Sequence, residues 1–305
     1  NTYGNMTGEM MSWGLETDKR YDPANFFNTG SDVSNALSLS TGNDKSQSYI
    51  SVATTNATGI MPNNDYDRYN FSFRNTTNFL NNKFILDTSA NYIIQNDKNM
   101  VSQGQYFNPL TSLYLFPRGE DFSDVAVYER YDDLSGVNTQ YWPYGDLGGV
   151  SSQNPYWIMN RMNRENDRRR YKLAASLQYN IIEGLNVQGR VSIDNTESKY
   201  TEKFHAGTVG NFAGPKGRYK EENRLDRQVY ADVLANFNKT FNEFNVTANL
   251  GASIKDLRME LTSLHGDLNN VTNHFTIENL TRSGYYKVNA DGLKRQTQSV
   301  FANAE

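Results

Sequence analysis

The most constraining feature of this chain is a strict two-residue alternation that runs through two hairpins of its second half. From Tyr171 to Ile181 the odd positions read Tyr171, Leu173, Ala175, Leu177, Tyr179 and Ile181, and the even ones Lys172, Ala174, Ser176, Gln178 and Asn180. After Ile182-Glu183-Gly184, the residues Leu185, Val187, Gly189, Val191 and Ile193 alternate with Asn186, Gln188, Arg190 and Ser192. The second hairpin repeats this with Val229, Ala231, Val233, Ala235 and Phe237, then Phe244, Val246, Ala248, Leu250, Ala252 and Ile254. Over the four segments the 22 apolar-face positions carry no charge, amide or hydroxyl beyond two Tyr phenols, whereas 14 of the 18 intervening positions are polar. Successive side chains of a strand point to opposite faces, so a period of two over this length means sheet with one apolar face. Two noisier hairpins precede them. Val33 to Thr41 and Ser46 to Thr55 flank the turn Gly42-Asn43-Asp44; Phe71, Phe73 and Phe79 share a face with Asn75 and Thr77, and Phe84, Leu86, Thr88, Ala90, Tyr92 and Ile94 follow after Leu80-Asn81-Asn82-Lys83.

Composition agrees with strands that bury little. The hydrophobic share is 37%, below the roughly 45–50% of ordinary globular chains. Leu, Ile, Val and Phe supply 65 of 305 residues, just above the level at which disorder becomes the default, but 20 Tyr, 16 Phe and 3 Trp argue for order. No apolar run approaches the 18 residues of a membrane helix, which excludes helical membrane proteins and leaves transmembrane barrels open. Zero Cys excludes disulfides, thiolate metal sites and a Cys nucleophile. The net charge of −4 gives no reason to expect nucleic acid as a partner. The sequence starts at Asn1 without an initiator Met or signal peptide and stops inside an alternating segment, Gln298 to Glu305, so an excerpt of a longer protein is expected.

The connections separate a soluble sandwich from a membrane barrel. Turns within hairpins take two to four residues, whereas the links between hairpins span residues 56–65, 96–169, 198–222 and 258–296. Short turns at one end and long loops at the other are the pattern of outer-membrane barrels, and three of these links exceed the roughly 12–15 residues usual in compact domains.

Several loop segments carry a resemblance. Met11-Ser12-Trp13-Gly14, Tyr21-Asp22-Pro23-Ala24-Asn25-Phe26-Phe27-Asn28-Thr29-Gly30 and Ser38-Leu39-Ser40-Thr41-Gly42-Asn43-Asp44-Lys45 resemble the start of the barrel in the SusC/RagA family of TonB-dependent outer-membrane transporters. Asn108-Pro109-Leu110-Thr111-Ser112-Leu113-Tyr114-Leu115-Phe116-Pro117-Arg118-Gly119-Glu120-Asp121 and Gln153-Asn154-Pro155-Tyr156-Trp157-Ile158-Met159-Asn160-Arg161 extend the resemblance, which runs from about Met11 to the C-terminus. It implies a barrel of about 22 strands, of which this chain holds about nine. It also implies import of oligosaccharides or oligopeptides, a SusD-like surface lipoprotein over the mouth, and drive from the TonB-ExbB-ExbD complex. The plug domain, the TonB-contacting segment and the C-terminal strands are not expected within this chain.

Candidate site residues follow from the longest loop. Tyr141, Trp142, Tyr144 and Trp157 concentrate amphipathic rings in a polar, Gly-rich stretch, where they are expected to stack on sugar rings or peptide side chains, with Arg118 as a polar anchor. The bland alternative is that a loop of this size packs these rings into its own core. Arg161, Arg164, Arg168, Arg169 and Arg170 read as a solvated or loop-pairing run, with lipopolysaccharide phosphates as a further partner. His205, His265 and His274 share no metal spacing, and no Ser/His/Asp arrangement is suggested. Asn63-Asn64-Asp65-Tyr66-Asp67 offers oxygen ligands for Ca²⁺ but is explained more cheaply as a turn. The sequons Asn5-Met6-Thr7, Asn56-Ala57-Thr58 and Asn279-Leu280-Thr281 are expected to be chance in an Asn-rich chain.

The expectation is therefore an all-β chain. Residues 1–32 enter, and residues 33–305 form, part of an antiparallel transmembrane barrel, with a long extracellular loop over 96–169. Lys172, Gln178, Arg190, Asp232 and Asn249 are expected to face its aqueous interior. Its expected role is nutrient import across the outer membrane of a Gram-negative bacterium, in contact with lipid and lipopolysaccharide, without an enzymatic reaction, cofactor or metal. A soluble extracellular glycan-binding β-protein, adhesin or lectin-like, is the alternative.

Overall fold

The computed structural model describes residues 2–4, 10–12, 18, 21–102, 104–144, 146–147, 150–281, 286–290 and 292–305; Trp13-Gly14 and the sequon Asn5-Met6-Thr7 lie outside them. One antiparallel sheet dominates. Its strands are β1 (Ser31–Gly42), β2 (Ser46–Thr58), β3 (Asp65–Phe79), β4 (Phe84–Lys98), β5 (Met162–Ile182), β6 (Leu185–Phe204), β7 (Arg218–Phe241), β8 (Phe244–Asp267), β9 (Tyr286–Ala290) and β10 (Lys294–Ala304). Each pairs with its sequence neighbour from β1 to β8, and β4 pairs β5 across the long loop. β9 and β10 share the ninth position, β10 pairing residues 248–258 of β8 and β9 residues 261–265. The sheet is nine strands wide and does not close on itself. An all-β wall segment is thus what the alternation predicts and what the chain forms.

The register carries one alternation from strand to strand. Leu37 pairs Val52, Val52 pairs Phe71, Phe71 pairs Tyr92 and Tyr92 pairs Tyr171, and farther along Val191 pairs Ala231 and Ala231 pairs Ile254. All lie on one face, and that face stays uncovered: Leu37 is 77% exposed, Val233 57% and Leu250 60%. The polar intruders that blur the β3 alternation are satisfied on the same face. Asn75 Nδ2 donates to Ser48 Oγ (2.8 Å) and Ser46 Oγ (3.1 Å), and Thr77 Oγ1 donates to Asn75 Oδ1 (2.7 Å). Aromatic rings mark both limits of the apolar band, Phe79, Phe84 and Tyr179 at the turn end and Tyr69, Tyr92 and Tyr171 toward the loops.

The tilt of the strands also follows from register. Ser46, the first residue of β2, is linked through Thr77, Leu86, Leu177, Gly189 and Val233 to Ala252, eight residues past the start of β8 at Phe244. Eight residues at about 3.3 Å, set against six inter-strand steps of about 4.8 Å, tilt the strands by about 40° from the normal to the line of turns. Outer-membrane barrels tilt by about 35–45°.

Turn chemistry is local. Gly184 adopts φ +82°, and a Cβ there would stand 2.3 Å from the Asn238 carbonyl oxygen, so the β5–β6 turn accepts only glycine. The strands run farther toward the loops than alternation indicates. The longest loop spans residues 99–161 rather than 96–169, and that between β6 and β7 spans 205–217 rather than 198–222. The basic run from Arg164 to Arg170 is therefore strand, not loop, with Arg164, Arg168 and Arg170 on the polar face and Arg169 on the opposite one. These loop-side halves are polar on both faces, which erases the period, yet their ladders hold through pairs such as Arg170–Asp194 and Lys203–Glu165.

Candidate functional site

The larger buried cluster lies among the loops rather than beneath the sheet. Its members include Tyr21, Phe26, Leu113, Phe116, Phe122, Val125, Trp157, Ile158 and Phe204. Val125 sits on the four-residue helix α2 (Ser123–Ala126), and two longer helices of the same loop, α1 (Pro109–Leu115) and α3 (Pro155–Arg161), also contribute. Both start with an Asn-Pro pair: Asn108 Oδ1 accepts from the Leu110 amide (3.0 Å) and Asn154 Oδ1 from the Tyr156 amide (2.9 Å), with proline at the first helical position, where its missing N–H is harmless. Asn154 also ties the loop together. Its Nδ2 donates to the carbonyls of Val125 (2.7 Å) and Tyr141 (3.0 Å), and its amide donates to Gln140 Oε1 (2.6 Å).

The five residues singled out in the sequence occupy different environments. Trp157 has no exposed surface and donates Nε1–H to Thr208 Oγ1 at 3.0 Å, so here it is a packing residue with no ring face left for a ligand. Trp142 and Tyr144 are half-buried; their rings lie 5.4 Å apart, Tyr144 meets Phe116 edge-on at 4.7 Å, and Trp142 Nε1 donates to Ser152 Oγ at 2.9 Å. Tyr141 carries the Arg130 guanidinium 3.3 Å above its ring. Arg118 is exposed and lies 5.8 Å from the Tyr21 ring centroid, its Nη1 donating to the Tyr21 carbonyl at 3.4 Å. Trp142, Tyr144 and Trp157 thus adjoin one core, whereas Tyr141 and Arg118 sit at its margins.

Tyr21 and Phe26 give no sign in sequence of joining this loop. Tyr21 stacks on Phe122 at 4.4 Å and donates its hydroxyl to the Leu113 carbonyl at 3.0 Å, and burial pushes its phenol well above the usual range. At the exit of α3, Arg161 grips Glu129 with two hydrogen bonds of 2.7 and 2.8 Å, holding that carboxyl below its ordinary range. His205 Nδ1 lies 2.9 Å from the Arg161 carbonyl oxygen, and burial lowers its pKa. Two asparagines join the shorter β2–β3 loop to the long one. Asn99 is buried and left-handed at φ +51°; it donates to the carbonyls of Asn63 (2.9 Å) and Met159 (3.0 Å) and accepts from the Arg164 amide (2.9 Å).

Among the described residues, no group of three or more His, Cys, Asp or Glu side chains is placed to hold a metal ion. Asn63 sits in the β2–β3 turn with φ +57°, and the amides of Asn63 and Asn64 donate to the carbonyls of Met159, Lys98 and Asn99. The sequon residue Asn279 is buried, its Nδ2 donating to the carbonyls of Val271 (2.6 Å) and His274 (2.8 Å), which leaves no room for a glycan.

Lys172, Gln178, Arg190, Asp232 and Asn249 all lie on the polar face, as the alternation requires. Arg190 holds Asp232 at 2.6, 2.9 and 3.1 Å, and the Tyr230 hydroxyl donates to the same carboxylate at 2.6 Å.

A sheet nine strands wide, tilted by about 40°, apolar on one face and crowned by ordered loops, defines the class: a wall segment of a large antiparallel β-barrel. Its fold is that of the RagAB peptide importer chains. The chain matches the closed-closed state with a TM-score of 0.66 at 14% identity, covering 93% of this chain and 30% of that one. The RagAB peptide transporter and the open-open state of the importer each match with a TM-score of 0.67 at 14% identity over 94% of this chain and 30% of theirs. This chain therefore spans under a third of the length of those proteins. No family model matches the sequence, and no curated protein matches it.

Proposed function

We propose that this chain is part of the wall and mouth of an outer-membrane importer of oligopeptides or oligosaccharides, acting with a SusD-like surface lipoprotein and driven through the TonB-ExbB-ExbD complex, with no enzymatic step of its own. The observation that carries this reading is the uncovered apolar face. Between Phe79 and Tyr69, ten residues of a strand tilted by about 40° rise about 25 Å, the height of the lipid-facing band of such barrels, and both limits are aromatic. Soluble monomers rarely leave more than a few hundred Å² of contiguous apolar surface open, which counts against the lectin-like alternative. With 24 residues each, β7 and β8 rise about 60 Å at this tilt, twice a hydrocarbon core of about 30 Å, so their loop-side halves and the loop core stand outside the membrane.

The peptide part of the cargo assignment draws on the RagAB importer, whose fold this chain shares. Cargo contact is assigned to the partly exposed Tyr141, Trp142 and Tyr144, with Arg118 at the margin of the same core. The test is fractionation and heat-modifiability of the full-length protein, followed by uptake in cells with and without TonB. A soluble periplasmic or secreted protein would refute the membrane reading, and TonB-independent uptake would refute the energy coupling.

A further inference from the structure

On the polar face, one row in register from β3 to β7 carries three arginines and no acidic residue. Arg68 on β3 lies in register with Gln95 on β4, Arg168 on β5, Ser198 on β6 and Arg224 on β7. With strands about 4.8 Å apart, the arginines repeat about every 10 Å along the row, each pair separated by a neutral side chain. All three are exposed. Arg224 is itself held by Asp226 (2.7 and 3.2 Å), and two neighbouring cations are paired likewise, Arg170 with Asp194 (2.5 Å) and Lys220 with Glu222 (3.1 Å). Asp97 accepts from Asn166 Nδ2 at 3.0 Å. Among the described residues Arg168, by contrast, makes a single long hydrogen bond, 3.4 Å to Ser198 Oγ, and neither Arg168 nor Arg68 forms an ion pair. Arg168, Arg170, Lys220 and Arg224 line an open groove of about 710 Å³, within the size range of ligand sites, and the same groove carries the carboxylates of Asp97, Glu222 and Asp226, the last two engaged by Lys220 and Arg224.

We propose that this groove is a carboxylate subsite for cargo, with Arg168 as its fork-shaped anchor and Arg68 continuing the track along the wall. The guanidinium fork matches a carboxylate with two parallel hydrogen bonds, and Arg168 is the groove cation whose fork no acidic side chain occupies. The imported cargo therefore carries acidic groups. This inference deepens the transport reading and rests on it. An acidic peptide and a uronic-acid oligosaccharide present the same group, and two arms of one experiment tell them apart.

The experiment is calorimetric titration of the full-length transporter in detergent with four probes: trigalacturonate, its methyl ester, a glutamate-containing pentapeptide amide and its glutamine counterpart. One acidic probe is expected to bind about tenfold or more tighter than its uncharged partner, a difference of about 1.4 kcal/mol, and that probe identifies the source. Arg168→Gln should abolish the difference and Arg168→Lys should restore part of it. Arg169→Gln, one residue along and on the opposite face, should leave it intact. Equal binding of charged and uncharged partners, or undiminished preference in Arg168→Gln, would overturn the subsite. If neither acidic probe binds a protein that is inserted and still imports, the carboxylate subsite fails and the transport reading stands. If the protein is found outside the outer membrane, the transport reading itself fails.

Discussion

Replacing Val233 with Arg tests which face meets lipid. Val233 is the middle of the five apolar positions of β7, Val229 to Phe237, and lies eight residues from Phe241 at the turn. At a tilt of about 40° this puts it about 20 Å above the line of turns, within the band bounded by the aromatic rings. It is 57% exposed and faces Gly189 on one side and Ala252 on the other, so Arg meets no carboxylate there. An Arg on the lipid face costs about 2–4 kcal/mol at the midplane and about 0–1 at the interface, so at Val233, about 7 Å above the middle of a band of about 25 Å, it should cost about 1–3 kcal/mol, which is about 5- to 150-fold in the folding equilibrium. Gln188→Lys is the matched control. Gln188 pairs Leu234 on the polar face, so the new charge enters water. Full-length variants folded into vesicles and titrated with urea, with heat-modifiability as the readout of barrel formation, report the difference. Equal destabilisation by both variants, or a greater cost for Gln188→Lys, would refute the assignment of faces.

Trp142→Ala combined with Tyr144→Ala should weaken cargo binding about 5- to 150-fold, from two stacking contacts of about 0.5–1.5 kcal/mol each, with surface abundance unchanged; unaltered binding at equal abundance would make both rings loop-packing residues. Acidification should loosen the long loop, as read by protease cleavage within residues 99–161. His205 has a lowered pKa, so below pH 6.5 the opened loop takes up its proton first, and protection falls from that point until the folded value is passed. Glu129, held low by Arg161, adds protection that is complete above pH 4.5 and lost as pH falls through its lower folded value; Glu129→Gln should remove this second phase and, because the Glu129 charge raises the His205 pKa, extend the first to lower pH. Asn99→Ala should raise cleavage of the same loop, because it combines a left-handed backbone cost of about 1–2 kcal/mol with orphaned buried groups at about 1–3 kcal/mol. Asn99→Gly keeps the backbone and should recover part of the loss.

What was legible in the sequence follows from what each residue contacts. The turn-side halves of β5 to β8 declare themselves because one face carries no polar group beyond two Tyr phenols, so Leu173 or Val187 fixes the parity of all its neighbours. The loop-side halves do not. Arg170, Asp194, Lys199 and Glu221 hold those ladders by ion pairs of 2.5 and 3.1 Å, and a strand with charge on both faces has no hydrophobic period to detect. The same limit hid the Arg68–Arg168–Arg224 row, which exists only through pairing across four strand boundaries. At the loop end, the Asn-Pro starts of α1 and α3 are local signals of helix capping. The stacking of Tyr21 on Phe122 joins residues about a hundred positions apart, and only tertiary structure reveals it. Trp157 illustrates the difficulty best. An aromatic in a polar loop suits ligand and core equally, and its bond to Thr208 from the next loop settles on core.

The distribution of burial separates two sources of stability. The wall between the aromatic limits leaves Leu37, Val233 and Leu250 uncovered, so its apolar side chains contribute only when something else removes them from water, and in the proposed setting that is lipid. The loop core covers its own apolar groups: Trp157, Leu113 and Val125 have no exposed surface without any partner. In that proposed setting, assembly of the wall depends on the membrane, whereas the order of the loops depends on side chains such as Trp157, Asn154 and Asn99. Because the long loop is anchored to the 205–217 loop through Thr208 and to the β2–β3 loop through Asn63, its partly exposed rings are held in place before any cargo arrives. A preorganised surface of this kind loses less conformational entropy on binding than a flexible one. Changes in the loop core should therefore alter capture at the mouth while leaving insertion of the wall intact, and changes on the apolar face should do the reverse.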